Sequence, residues 1–244
     1  MKKFSLFLIT IFALVFYAET SEEIFKRIET KYSSYSDVKS IDAIYKSIFY
    51  NNDAKVPMTM KILVKDKKMK MEIIPDSLEM EDVQQMATTI IKDGDNMFIV
   101  NPIVGKIELS EKEKDSYNQD KGVLWWKQIN DDYDYLYEKD KNYIFKHKES
   151  EGLLFVDKEN LFLSKYVDYQ NDKKDTLIMT FTDYKKIEEE RYMPFKIEAN
   201  LNGKKIMEMN IDKIKFNTQI DDSLFEIKKG KITDMKDLFK KFSQ

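Results

Sequence analysis

Between Met58 and Ile73 apolar and charged positions alternate, and a turn centred on Asp66-Lys67 brings Val64 beside Met69, Ile62 beside Met71 and Met60 beside Ile73. All the apolar residues then share one face, while Lys61, Lys65, Lys68, Lys70 and Glu72 take the other. That is an antiparallel pair with one dry side. From Val38 to Tyr50 the same period of two puts Ile41, Ala43, Tyr45 and Phe49 on one face and predicts an earlier strand. Three short strands are expected between Thr88 and Leu109, broken by Asp93-Gly94-Asp95-Asn96 and by Asn101-Pro102 with Gly105. In the middle one, Met97, Phe98, Ile99 and Val100 are apolar at every position, which predicts cover on both faces by a helix or an apolar ligand.

Elsewhere the spacing turns helical. Thr20 to Glu23 has the form of a capping box, and Ile24, Phe25, Ile28 and Tyr32 follow on one stripe, so a helix is expected to about Tyr35. Pro75 to Met86 reads as a short helix with Leu78, Val83 and Met86 apolar. Ser110 to Glu113 repeats the capping form and leads towards Trp125-Trp126. Strands return at Tyr133 to Tyr137, at Tyr143 to Phe145, in a hairpin from Leu153 to Tyr166 around Asp157 to Asn160, and at Leu177 to Phe181.

The last hairpin sets pattern against turn chemistry. Asn202-Gly203 signals a two-residue turn, which would pair Ala199 with Ile206 and Ile197 with Glu208. A three-residue loop that includes Lys204 pairs Ala199 with Met207 and Ile197 with Met209, and it is expected because face burial fixes register. Ile214 and Phe216 extend that strand, and Met235, Leu238, Phe239 and Phe242 make a final amphipathic stripe. The architecture predicted is mainly β (α+β), a curved antiparallel sheet with the helices on its concave side.

The first residues add an address. Lys2 and Lys3 precede an apolar run from Phe4 to Ala18, shorter than the roughly 20 residues that span a bilayer. This is a secretory signal pattern with cleavage expected after Ala18, although Phe16 departs from the small residue usual two positions earlier. Retention as an N-terminal anchor is the alternative. The domain would then run from 19 to 230, with the terminal helix from 231 to 244. With no cysteine there are no disulfides. Without Lys2 and Lys3 the formal charge is −5, so nothing draws nucleic acid or an anionic lipid surface.

Enzyme chemistry finds little purchase. The single histidine, His147, stands between Lys146 and Lys148 and reads as a solvated surface residue; no thiol nucleophile exists, and zinc would have one nitrogen ligand and no sulfur. Asp93-Gly94-Asp95 and Asp131-Asp132 lack the ligand spacing of a calcium loop. No motif singles out a carboxylate pair for glycoside hydrolysis. Trp125, Trp126 and the tyrosines from 133 to 137 could stack on sugars, but such aromatics more often cover a sheet. No cofactor is expected.

The segment from Ile90 to Pro102, with Asp93-Gly94, Phe98 and Asn101-Pro102, resembles the LolA/LolB-like superfamily of lipoprotein-sorting carriers. So does the stretch from Tyr192 to Ile227, with Pro194, Asn217 and Asp221-Asp222-Ser223-Leu224-Phe225. The resemblance implies an unclosed β-barrel with a helical lid, holding lipoprotein acyl chains or lipid tails in the periplasm and exchanging them with inner- and outer-membrane partners, as a monomer. Arg27 in the first helix and Arg191 in a late loop do not match the arginine that holds the lid in the best-known carriers. The candidate cavity residues are Met58, Met60, Ile62, Val64, Met69, Met71, Ile73, Met97, Phe98, Ile99, Val100, Ile197, Met207 and Met209. The lid candidates are Leu78, Val83, Met86, Trp125 and Trp126. Met suits such a surface because it is flexible and polarizable and can repack around chains of varying shape. The alternative is a sensor on the same scaffold that binds lipid or a misfolded envelope protein and regulates a membrane partner.

Overall fold

In the computed structural model the described residues are 19–51, 54–76, 87–101, 105–110, 114, 125–170, 174–188 and 190–226. The signal segment 1–18, the expected helix from 77 to 86 with Leu78, Val83 and Met86, and the terminal stripe after 226 lie outside them.

The described strands are β1 (Ser40–Asn51), β2 (Ala54–Lys65), β3 (Lys68–Pro75), β4 (Thr88–Asp93), β5 (Asn96–Asn101), β6 (Gly105–Glu108), β7 (Tyr133–Lys139), β8 (Asn142–His147), β9 (Leu153–Asp157), β10 (Leu163–Gln170), β11 (Asp175–Glu188), β12 (Arg191–Leu201) and β13 (Lys204–Phe216). They form one antiparallel sheet in the order β6-β5-β4-β3-β2-β1-β13-β12-β11-β10-β9-β8-β7. Two meanders therefore run outward from a central seam where β1 pairs with β13, and β6 and β7 are left as edges. Edges that do not pair with each other leave the barrel unclosed.

Local chemistry accounts for the hairpins. Asp66 adopts φ of 53° in the β2–β3 turn, and Gly94 adopts 61° between β4 and β5, so each turn uses a residue type that tolerates the left-handed region. The β2–β3 register is the expected one, with Val64 opposite Met69, Ile62 opposite Met71 and Met60 opposite Ile73.

At the last hairpin the expectation needs correction. The loop is the two-residue Asn202-Gly203 turn, both residues at positive φ, with Leu201 opposite Lys204. The apolar register still holds: Ala199 faces Met207 and Ile197 faces Met209, because Ile206 is the extra residue of a bulge. Turn chemistry and face burial are both satisfied, at the expense of one ladder irregularity.

The N-terminal helix, Ser21–Tyr32, starts at a complete capping box in which the Glu23 amide donates to the Thr20 hydroxyl and the Thr20 amide donates to the Glu23 carboxylate. It ends in a 3-10 turn at Ser33–Tyr35. Its buried face, Ile24, Ile28 and Tyr32, packs with Trp126 and Ile129 of a second helix, Trp125–Asp132, onto Tyr143, Phe145, Leu154, Val156 and Leu163 of β8, β9 and β10. Trp126 stacks on Tyr32 with ring centroids 4.7 Å apart and lies 5.0 Å from Tyr35. The main core thus lies under one wing of the sheet. A smaller cluster of Met69, Ile90, Met97 and Leu109 serves the other.

Two arginines fasten the helical layer. Arg27 donates to Glu19, to the Tyr143 hydroxyl and to the Lys158 carbonyl. Arg191, which begins β12 instead of lying in a loop, is buried and donates to the Ser34 carbonyl, Glu188 and Asp37.

Candidate functional site

Pairing across the sheet places side chains in transverse rows, because directly opposed residues project from the same face. One row runs through Phe145, Leu154, Tyr166, Met179, Ala199, Met207, Phe49 and Val56, one residue from each strand from β8 to β2. The next contains Phe181, Ile197, Met209, Ser47 and Met58, and the one after it Ile211, Tyr45, Met60 and Ile73. A further row carries Ile214, Ala43, Ile62, Met71, Ile90, Ile99 and Ile107. The last joins Phe216, Ile41, Val64, Met69, Lys92 and Met97. These rows form one apolar face that is continuous from wing to wing.

Burial divides that face into three parts. Under the helices, Phe145 and Val156 are fully buried, and on the far wing Met69, Ile90 and Met97 are nearly so. Between them lies a trough in which Met58, Ile62, Met207, Met209, Ile197, Phe49, Val56 and Met179 are only half-buried. Its floor contains buried Ala43, Ser47, Met60, Ala199 and Ile211. The trough has the width of five strands, β2, β1, β13, β12 and β11.

The expected site residues fall into place unevenly. Met58, Met60, Ile62, Val64, Met69, Met71, Ile73, Met97, Ile99, Ile197, Met207 and Met209 share the concave face. Phe98 and Val100 do not: as alternate residues of β5 they project from the outer face, opposite Ile91 and Thr89. The expected cover on both faces of this strand is found, but different groups provide it. Phe98 and Ile91 are buried on the outer side, where the Lys106 ammonium lies 3.9 Å above the Phe98 ring. A 3-10 turn, Asp222–Phe225, also packs against β3 and β4, and its Asp222 accepts from Lys65 and pairs with Lys68 on that outer face. Trp125 begins the second helix, and Trp126 belongs to the aromatic core beside Tyr32, away from the methionine hairpin.

The face of β1 was legible as a period-two pattern, yet the strand's importance to the site was not. Tyr45 and Phe49 lie mid-trough because β1 pairs with β13, a partner more than 150 residues away in sequence. Burial pushes the Tyr45 hydroxyl up to about 12. His147 is half-buried, its ring set edge-on to Tyr133 and its Nδ1 accepting from the Glu149 amide, so the ring is held and not freely solvated. Among the described residues no group of three or more His, Cys, Asp or Glu side chains could hold a metal ion, and no helix is long and apolar enough to cross a membrane. A separate cleft beside the N-terminal helix is lined by Glu19, Glu23, Lys26, Arg27, Thr30, Lys31 and Leu161, none of them a trough residue.

The architecture has known counterparts. The chain is similar to a domain from Vibrio parahaemolyticus described as that of an outer membrane lipoprotein-sorting protein, with 14% identity and a TM-score of 0.59 over 84% of this chain and 97% of that one. It is similar to a LolA superfamily protein from Nitrosomonas europaea, with 16% identity and a TM-score of 0.59 over 83% and 97%. A DUF1329 family protein from Desulfovibrio piger matches at 14% identity and a TM-score of 0.62 over 86% and 98%. At the level of sequence, no protein-family model and no curated protein matches the chain. The fold is LolA-like: an open antiparallel barrel of thirteen described strands with a helix across its concave face.

Proposed function

We propose that this protein is an exported, non-enzymatic carrier that shelters acyl chains of lipoproteins or lipids in the trough between its two wings and moves them towards the outer membrane. The observation that carries this reading is the continuous apolar face, in which a band of half-buried residues, Val56, Met58, Ile62, Phe49, Ile197, Met207 and Met209, runs across the centre around buried Ala43, Ser47, Met60, Ala199 and Ile211. An acyl chain gains roughly 0.8 kcal/mol for each CH₂ withdrawn from water, so a trough of this breadth can hold one without dedicated polar recognition. The fold shared with lipoprotein-sorting proteins and the signal pattern of the first 18 residues support the cargo class and a periplasmic location.

The test is to express residues 19–244 in a secretory bacterial host and purify them without detergent. Native mass measurement and mass spectrometry of extracted lipid should show co-purifying acylated species near one per chain, lost when Met58 and Met209 are both changed to Asp. A clean apo mass, together with failure to take up a fluorescent fatty acid, would remove the carrier reading.

A further inference from the structure

The covered wing ties down several of its tyrosines. Tyr32 donates to the Leu161 carbonyl, Tyr35 to the Tyr192 carbonyl, Tyr184 to the Leu163 carbonyl and Tyr143 to the Glu19 carboxylate. Tyr45 differs. It occupies the middle of the Ile211, Tyr45, Met60 and Ile73 row, and among the described residues no acceptor receives its hydroxyl. Ser47, the next residue of β1 on the same face, has a hydroxyl already donated to the Met58 carbonyl. The β1–β13 ladder also slips at this point: Ile44 faces Lys213, Tyr45 faces Ile211, and Asp212 is left over. The extra residue belongs to β13, the strand opposite Tyr45, and such bulges bend the strand that carries them.

Tyr45 is half-buried in an apolar trough, and its phenol can exchange water for a ligand acceptor when the trough is occupied. Resting on the carrier reading, we propose that the Tyr45 hydroxyl donates a hydrogen bond to the carbonyl oxygen of an acyl ester or amide, so that the trough selects neutral acylated molecules over bare hydrocarbons and free carboxylates. Charge supports the choice of a neutral carbonyl. Burial by itself raises the Tyr45 hydroxyl, with no contribution from a charged neighbour, whereas Tyr133 and Tyr166 also feel Asp168. A fatty carboxylate at Tyr45 would have to leave water with no cation beside it, while an ester carbonyl needs one donor and keeps its chain on the methionine rows to either side.

The experiment uses the purified mature chain and its Tyr45→Phe variant. Methyl laurate, tridecane and laurate compete against a fluorescent apolar dye, and the infrared band of carbonyl-labelled methyl laurate is recorded when bound. Wild type should bind methyl laurate more tightly than tridecane or laurate. Tyr45→Phe should weaken methyl laurate about 5- to 10-fold, as expected for one hydrogen bond. The loss should be larger for methyl laurate than for dye or tridecane, and the bound carbonyl band should move to higher frequency in the variant. Equal ester affinity in the two proteins, or an unmoved band, overturns the role of Tyr45 while leaving the carrier intact. If wild type takes up neither dye nor tridecane, the carrier reading fails and this one with it.

Discussion

The two wings of the sheet share one pairing scheme and one concave face, yet they are filled by different chemistry. Beyond β13, the inward rows carry Tyr133, Tyr135, Tyr143, Phe145 and Tyr166, and the N-terminal helix adds Phe25 and Tyr32 and the 3-10 turn after it Tyr35. Rings meet at fixed distances: Phe25 lies 5.4 Å from Phe145, Tyr135 5.8 Å from Phe145, and Trp126 stacks on Tyr32. Aromatic pairs of this kind have preferred geometries and add to area burial, so they make a wing with one stable arrangement. Beyond β1, the inward rows carry Met58, Met60, Met69, Met71 and Met97 with Ile and Val, side chains that repack cheaply. The lesson is a division of labour along one sheet, in which aromatics fill one wing while adaptable aliphatics and thioethers fill the other and line the trough between them.

Substitutions can break that comparison, beginning with the largest effect. Phe145→Ala, at a fully buried position, should lower unfolding stability by about 3–5 kcal/mol in denaturant titration, with the dye affinity of the remaining folded protein little changed. Arg191→Ala leaves the Ser34 carbonyl without its donor and should cost about 1.5–3 kcal/mol by the same measurement, since Arg191 is buried although its partners Asp37 and Glu188 are exposed. Met58→Asp with Met209→Asp should reverse the pattern: dye uptake falls at least tenfold, about 1.4 kcal/mol, while the unfolding midpoint moves less than for Phe145→Ala. If the trough pair destabilises as much as Phe145→Ala, the centre is core and the division of labour is wrong.

The smallest effect lies at the helix latch. Burial alone would raise the Glu19 carboxyl, but hydrogen bonds from Arg27 and Tyr143 hold it below its ordinary value of 4.5. A carboxylate depressed in the folded state stabilises above its unfolded pKa, and that stability disappears as pH falls through the folded value. Glu19→Gln should therefore cost about 0.5 kcal/mol near pH 7, as for a partly exposed ion pair. The difference from wild type should vanish in acid below the ordinary glutamate range, read from paired unfolding curves at each pH. A difference that persists there would mean Glu19 acts through packing and not through its charge.

Much of this was legible from local signals. The capping box at Thr20, the stripe of Ile24, Ile28 and Tyr32, and the three strands between Thr88 and Leu109 follow from cap chemistry, helical spacing and turn residues. The β2–β3 register follows from alternation about Asp66-Lys67. These depend on residues a few positions apart, and backbone geometry turns them directly into structure. Phe98 and Val100 were misplaced because a wholly apolar strand carries no alternation to mark its faces, so pairing with β4 alone assigned them outward. At Asn202-Gly203 two local signals conflicted, and the bulge at Ile206 satisfied both.

By itself, then, the amino-acid sequence determined the elements, most turns and the apolar face of each hairpin, since periodicity and cap or turn chemistry act over a few residues. Only the tertiary structure decided that the N-terminal helix covers the aromatic wing, that Arg27 reaches Tyr143, 116 positions away, and that β1 pairs with β13 so that Tyr45 stands mid-trough. Those choices are made by packing and pairing between distant segments, where many partners have suitable chemistry and only the assembled sheet brings one of them within reach.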